Sequence, residues 1–140
     1  MISQNIQYLS GREENMKQIK TIINNTILID NEELDSANLV KIFYENGLNL
    51  EIVTTNQDYL NLLRQKNFDC LLIHSDMPDS LTVKIIDFIK CNYPWMIVIV
   101  LLVNKSYEKV FELVRLGVDD FIQQPFTWED IEKVYKHYNY

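Results

Sequence analysis

The chain has 140 residues, 47% of them hydrophobic, and carries 13 basic against 20 acidic groups for a net charge of −7. That length supports one domain around one core and is expected to be too short for a second. Nucleic-acid phosphates are bound by clustered Lys and Arg; no such cluster occurs here, which argues against direct DNA or RNA binding.

The first ten residues, Met1 to Ser10, are polar and lack the apolar stretch of a signal peptide. Residues 1–25 hold three basic and two acidic groups, a net +1, so the remainder carries −8. Within them Met16, Ile19, Ile22 and Ile23 share one face of a short amphipathic helix, Arg12 to Ile23. Its expected role is to pack on the domain's own surface, with a dimer contact as the alternative. Residues 1–25 are therefore read as an N-terminal extension and 26–140 as the domain.

From Thr26 onward, strand and helix patterns alternate. Thr26–Ile29 is β-rich and runs into an acidic turn, Asp30-Asn31-Glu32-Glu33. A helix from about Leu34 to Glu45 stops at Gly47, a common terminator. Leu50–Val53 is a second strand. Asn56 or Asp58 can cap a helix carrying Tyr59, Leu60, Leu62 and Leu63. Cys70-Leu71-Leu72-Ile73 is uninterruptedly apolar, as a strand covered on both faces should be.

Leu81, Ile85, Ile86 and Ile89 fall on one side of a helix from Leu81 to Lys90. The longest apolar run, Trp95–Val103, has nine residues. A membrane span needs about 20, so this run is a buried strand, centred on Met96–Leu102. Ser106–Leu116 is helical and ends at Gly117, Asp119–Gln123 is the fifth strand, and Trp128, Ile131, Val134, Tyr135 and Tyr138 form the inner face of a closing helix. Cys70 and Cys91 have no metal-ligand spacing and are too few for a disulfide scaffold, so free thiols in a reducing cytoplasm are expected, with Cys70 as core packing.

Five strand–helix units imply an α/β fold, a five-stranded parallel sheet with right-handed helical crossovers on both faces. The functional edge of such a sheet lies at the C-terminal ends of its strands.

With these elements placed, the chain resembles the CheY-like receiver domains of two-component response regulators over about Thr26 to Tyr138. The resemblance rests on the acidic turn after the first strand, on Met77-Pro78-Asp79 after the third, and on Leu116-Gly117-Val118-Asp119-Asp120-Phe121 leading to Gln124-Pro125-Phe126. It implies the flavodoxin-like (βα)5 three-layer sandwich with strand order 2-1-3-4-5. It also implies a phosphoacceptor aspartate four residues before the proline, a position held here by His74; Asp76 lies two residues too late.

The family's Mg²⁺-binding acidic pair corresponds to Asp30 and Asn31, its phosphoryl-binding Ser/Thr to Leu102, its lysine to Gln124 and its small glycine to Thr82. Phe121 occupies the aromatic switch position, and Gln124-Pro125 the place of a cis Lys-Pro peptide.

These departures lead to an atypical, non-enzymatic receiver. Phosphoryl transfer depends on positioning and charge neutralisation. Mg²⁺ requires oxygen ligands, and with Asp30 the sole carried-over carboxylate its binding should be weak or absent. His74 is read as filling the vacated pocket, hydrogen-bonded to Asp30 or Asp76, with a pH-sensing or transition-metal role as lesser possibilities (Asp30 and Asp76 being weak ligand candidates). The alternative function is phosphorylation on a shifted Asp76 or Asp79, or on His74.

The expected activity is protein–protein interaction. Any partner would be another signalling protein or a second copy, bound through the helix 4–strand 5–helix 5 face, where Tyr107, Phe111, Trp128 and Tyr138 supply aromatics. A flavodoxin-type small-molecule site is disfavoured, because Asp30-Asn31-Glu32-Glu33 would repel an anion.

Overall fold

The structure, a computed structural model, describes residues 23–30, 36–54, 59–74, 79–102 and 107–138, with the side chains of 79, 107 and 109 outside that set. Within it strands and helices alternate: β1 (Asn25–Asp30), α1 (Ala37–Glu45), β2 (Asn49–Thr54), α2 (Tyr59–Gln65), β3 (Cys70–His74), α3 (Asp79–Asn92), β4 (Ile97–Leu102), α4 (Tyr107–Arg115), β5 (Asp120–Gln123) and α5 (Trp128–Tyr138). The strands form one parallel sheet in the order β2-β1-β3-β4-β5. This is the order expected from the resemblance. Residues 1–22 of the N-terminal extension, the acidic residues after Asp30, the caps at 56 and 58, and residues 75–78 lie outside the described residues, whereas Ile23 is buried in the core and Asn25 already belongs to β1.

The uninterrupted apolar runs become the central strands, as burial on both sheet faces requires. β3 is buried throughout, and β4 from Val98 to Leu101. Alternation along each strand sorts their side chains into two cores. On one face Ile27, Ile29, Leu71, Ile73, Val98 and Val100 pack with Leu63 of α2, Ile85, Ile86 and Ile89 of α3, and Leu113 of α4. On the other, Leu28, Cys70, Leu72, Ile99, Leu101 and Ile122 pack with Leu39 and Phe43 of α1 and Ile131 and Tyr135 of α5. Each fully buried Leu or Ile contributes roughly 1.5–3 kcal/mol relative to exposure, so these layers dominate the fold's stability.

Two boundaries differ from expectation. Trp95 lies outside β4 and is largely exposed; the apolar run over-extends the strand because the turn before it is aromatic, Tyr93-Pro94-Trp95. Helix α3 is longer than its apolar stripe, since polar Asp79, Ser80, Cys91 and Asn92 complete its end turns.

Gly47 and Gly117 end α1 and α4 with positive φ, 70° and 98°, where a Cβ would be strained. At both, the following residue's N–H reaches back five positions, Leu48 to the Phe43 carbonyl (2.9 Å) and Val118 to that of Leu113 (3.3 Å), the helix-ending motif glycine permits.

At the N-terminal ends of the strands two aspartates act as clamps. Asp69 Oδ2 accepts the Asn24 and Asn25 N–H groups at 3.0 and 2.9 Å. Asp119 Oδ2 accepts the Val98 N–H at 2.8 Å and pairs with Lys90 Nζ at 2.8 Å.

Candidate functional site

At the opposite, C-terminal ends of the strands, the register lines up the residues singled out in the sequence. Ile29 pairs with Ile73 across β1 and β3, so Asp30 and His74, the next residue of each strand, end adjacent strands. His74 also pairs with Leu101, and Leu102 with Gln123. Alternation from Leu28 and Leu72 sends both Asp30 and His74 to the sheet face covered by α1 and α5.

Both are almost fully buried, Asp30 at 4% and His74 at 2% exposure, and Thr82 in the first turns of α3 is equally enclosed. Burying a carboxylate beside an imidazole demands polar pairing, because an unpaired buried charge is far too costly to retain.

The remaining positions close the edge. The Leu102 carbonyl accepts the Gln124 N–H at 2.9 Å and Gln123 Nε2 at 3.2 Å, tying the ends of β4 and β5 together. Leu102 itself is half-buried against the α2–α3–α4 core, together with Phe121. Gln124 is exposed and its peptide bond to Pro125 is cis, as the family pattern suggested. The structure thus brings Asp30, His74, Leu102 and Gln124 to one sheet edge, whereas Asn31 and Asp76 lie outside the described residues.

Chemically, this edge offers one described carboxylate, one imidazole, a leucine and a neutral amide. Mg²⁺ prefers a shell of hard oxygens, and an imidazole nitrogen suits softer metals; the described donors do not fit Mg²⁺. Among the described residues no three His, Cys, Asp or Glu side chains are grouped to hold a metal ion. Moving phosphoryl charge needs a cation beside it, and the lysine position presents an uncharged Gln124.

A second feature flanks edge strand β5. A groove of about 370 Å³ runs between β5 and α5, lined by Asp120, Phe121, Gln123, Asp130, Lys133 and His137 among others. Of the aromatics expected on this side, Phe111 on α4 is 72% exposed. Trp128 and Tyr138 pack half-buried against the α1–α5 core, as their place on the inner face of the closing helix predicts, and Tyr138 donates its hydroxyl to the Asp119 carbonyl at 2.8 Å. The amphipathic period of α5 forces that inward turn. The Tyr107 side chain lies outside the described residues.

Sequence reasoning missed the two aspartate clamps and a buried polar chain. Thr26 Oγ1 and the Tyr135 hydroxyl lie 2.8 Å apart, and that hydroxyl approaches Cys70 Sγ at 3.8 Å. Their partners are distant in sequence, so the only available signal was an Asp placed just before each strand. Burial pushes the Cys70 thiol up to about 12, and an unreactive thiol follows, since the thiolate is the reactive form.

Comparison with known proteins agrees with the fold. Residues 26–136 match the response regulator receiver domain family. The regulatory protein LuxO of Vibrio vulnificus is 25% identical over 79 residues, 56% of this chain and 17% of LuxO; the chain thus spans about a sixth of that relative's length. Among solved structures, the beryllofluoride-activated NtrC4 receiver domain dimer is 27% identical with a TM-score of 0.71, covering 82% of this chain and 95% of that one. The NtrC4 receiver domain from Aquifex aeolicus is likewise 27% identical, with a TM-score of 0.68 over 81% and 94% of the two chains. The chemotaxis protein CheY4 of Vibrio cholerae, at 16% identity, shares the fold with a TM-score of 0.72 over 83% and 98%.

Proposed function

Because the chain belongs to the response regulator receiver domain family of two-component signalling, we propose that it is a receiver working without phosphorylation, through binding alone. The observation that carries this reading is His74. A buried imidazole ends β3, beside Asp30, at the position where the resemblance places the phosphoacceptor carboxylate. Leu102 brings no hydroxyl and Gln124 no positive charge to the same edge, so a phosphoryl group there would lack both a hydrogen-bond donor at β4 and a counter-charge at β5. On this reading the protein catalyses nothing itself and signals by which surfaces it presents.

The surface proposed for contact is the α4–β5–α5 side. Exposed Phe111 provides an apolar anchor of the kind that dominates interface energetics. The neighbouring groove carries both signs of charge, Asp120 and Asp130 against Lys133, which suits a second copy or another signalling protein of mixed charge. The NtrC4 receiver domain was solved as a dimer, and self-association is accordingly part of the proposal. A cytoplasmic location completes it, in keeping with the free thiols Cys70 and Cys91. No described helix is long and apolar enough to cross a membrane.

The deciding experiment is incubation with acetyl phosphate and Mg²⁺ followed by intact mass. The expected outcome is an unchanged mass. A gain of about 80 Da, mapped by digestion to His74, Asp76 or Asp79, would overturn the reading.

A further inference from the structure

An edge strand presents a row of backbone N–H and C=O groups with which another chain can pair. Of the two edges here β2 is the longer, six residues against four in β5, and none of its residues is buried. Natural edges are commonly blunted by Lys, Pro or a bulge. The strand Asn49-Leu50-Glu51-Ile52-Val53-Thr54 holds neither Lys nor Pro, and it pairs with β1 in unbroken register. Along a parallel ladder successive residues turn their N–H and C=O groups to opposite sides. The Asn49 N–H donates inward to the Asn24 carbonyl at 3.1 Å, so Asn49, Glu51 and Val53 face β1. Leu50 and Ile52 therefore direct their N–H and C=O groups out from the sheet.

The two faces beside this edge differ in chemistry. Leu50 and Ile52 lie half-buried on the α1 face. Helix α1 adds Val40, 44% exposed, and Tyr44, 82% exposed, one turn apart on a single line. Asn38, whose Nδ2 donates to the Phe126 carbonyl at 3.1 Å, marks the α5 side of that helix. Val40 and Tyr44 stand roughly 200–240° round from it, toward the β2 edge. On the opposite face Glu51 is the one carboxylate of β2, paired with Lys66 and still open to solvent. A groove of about 520 Å³ opens there at the start of the strand, lined by Asn25, Asn49, Asn67, Glu51 and Lys66 among others. Asparagine amides carry both donors and an acceptor, the groups that match a peptide backbone.

We propose that β2 is a docking edge for an extended segment of a partner protein, in which apolar residues alternate with basic ones. The segment adds a strand to the five-stranded sheet through backbone bonds to Leu50 and Ile52. Its period-two alternation sets the apolar row against Val40 and Tyr44 and the basic row beside Glu51 and the asparagine groove. The basic row follows from charge. Residues 26–140 carry −8, the overall −7 less the +1 of residues 1–25, and such a surface draws a basic partner toward it. A second copy fits the edge less well. The antiparallel self-registers that keep Leu50 and Ile52 both paired within β2 set Glu51 opposite one of two side chains. One is Glu51 of the second copy, a like-charge pair; the other is its Val53, which offers a carboxylate no hydrogen bond.

Amide exchange of the full chain, followed by NMR, reads this edge residue by residue. The probe is a short Lys-Val repeat peptide. Its controls are the same residues ordered as a Lys block and a Val block, and a Glu-Val repeat. The Lys-Val repeat is expected to slow exchange at the Leu50 and Ile52 N–H groups several-fold, and to leave the inward Glu51 and Val53 N–H groups as they were. Neither control should do so. Glu51→Lys and Tyr44→Arg, both at solvent-open side chains, should weaken the protection, whereas Phe111→Glu on α4 should leave it intact and so separates this edge from the α4–β5–α5 face. No slowing with the repeat, equal slowing with the block peptide, or protection unchanged by both Glu51→Lys and Tyr44→Arg would overturn the proposal. So would protection lost with Phe111→Glu, or slowing that grows with protein concentration in the absence of peptide, which would assign the edge to a second copy.

Discussion

His74 is the side chain on which the functional reading turns, and single substitutions should not reverse it. His74→Asp restores a carboxylate, yet Asn31, Leu102 and Gln124 still withhold the metal ligand, the hydroxyl and the charge that phosphoryl transfer uses. His74→Asp alone is expected to keep its mass in acetyl phosphate and Mg²⁺, whereas His74→Asp with Asn31→Asp, Leu102→Thr and Gln124→Lys should gain about 80 Da. The buried chain of Thr26, Tyr135 and Cys70 governs behaviour in alkali. Burial raises the Cys70 thiol from 9.0 to about 12 and lifts the Tyr135 hydroxyl well above 10.0. A group raised on folding adds stability that is complete below its unfolded value and is lost as pH rises toward its folded one. The melting temperature should therefore hold to about pH 9 and fall between pH 9 and 12. Tyr135→Phe should flatten that fall, while costing about 1–3 kcal/mol at neutral pH because the Thr26 hydroxyl loses its partner.

Between elements, the ties at the strand starts hold the sheet and its helices in place. Asp119 links α3 and β4 to the turn before β5, taking both the Lys90 ammonium and the backbone N–H of buried Val98. Asp119→Ala leaves that N–H without its carboxylate and should cost about 1–3 kcal/mol in urea unfolding. Glu132→Ala breaks an exposed i,i+4 pair with Lys136, 3.5 Å apart; solvent screens such pairs, and the loss should be no more than about 0.5 kcal/mol. If the two variants lose equal stability, the clamp assignment is wrong. Element positions were readable from apolar periodicity because burial enforces it. Ends were less so: Trp95 opens an apolar run but lies before the first position of β4 and is largely exposed.

For the molecule as a whole, function is expected to reside in surfaces at the sheet's edges. Sedimentation velocity over a concentration series should show association that Phe111→Glu abolishes. Phe111 is 72% exposed, so its melting temperature should stay unchanged, surface changes being worth about ±0.5 kcal/mol. A variant that associates as before would remove α4 from the proposed contact face.

Parallel topology, the two-sided core and the identity of the residues at the strand ends were determined by the sequence, because alternating strand and helix periods admit few arrangements and register then follows from burial. Asp30, His74, Leu102 and Gln124 could be named in advance as neighbours because the resemblance to receiver domains placed them at one site. The fold alone decided how deeply Asp30 and His74 are enclosed, that Phe111 stays out, and that Asp69 and Asp119 serve as clamps. Each of these depends on contacts between residues far apart along the chain, and a linear pattern records a side chain's polarity without recording what folding brings against it.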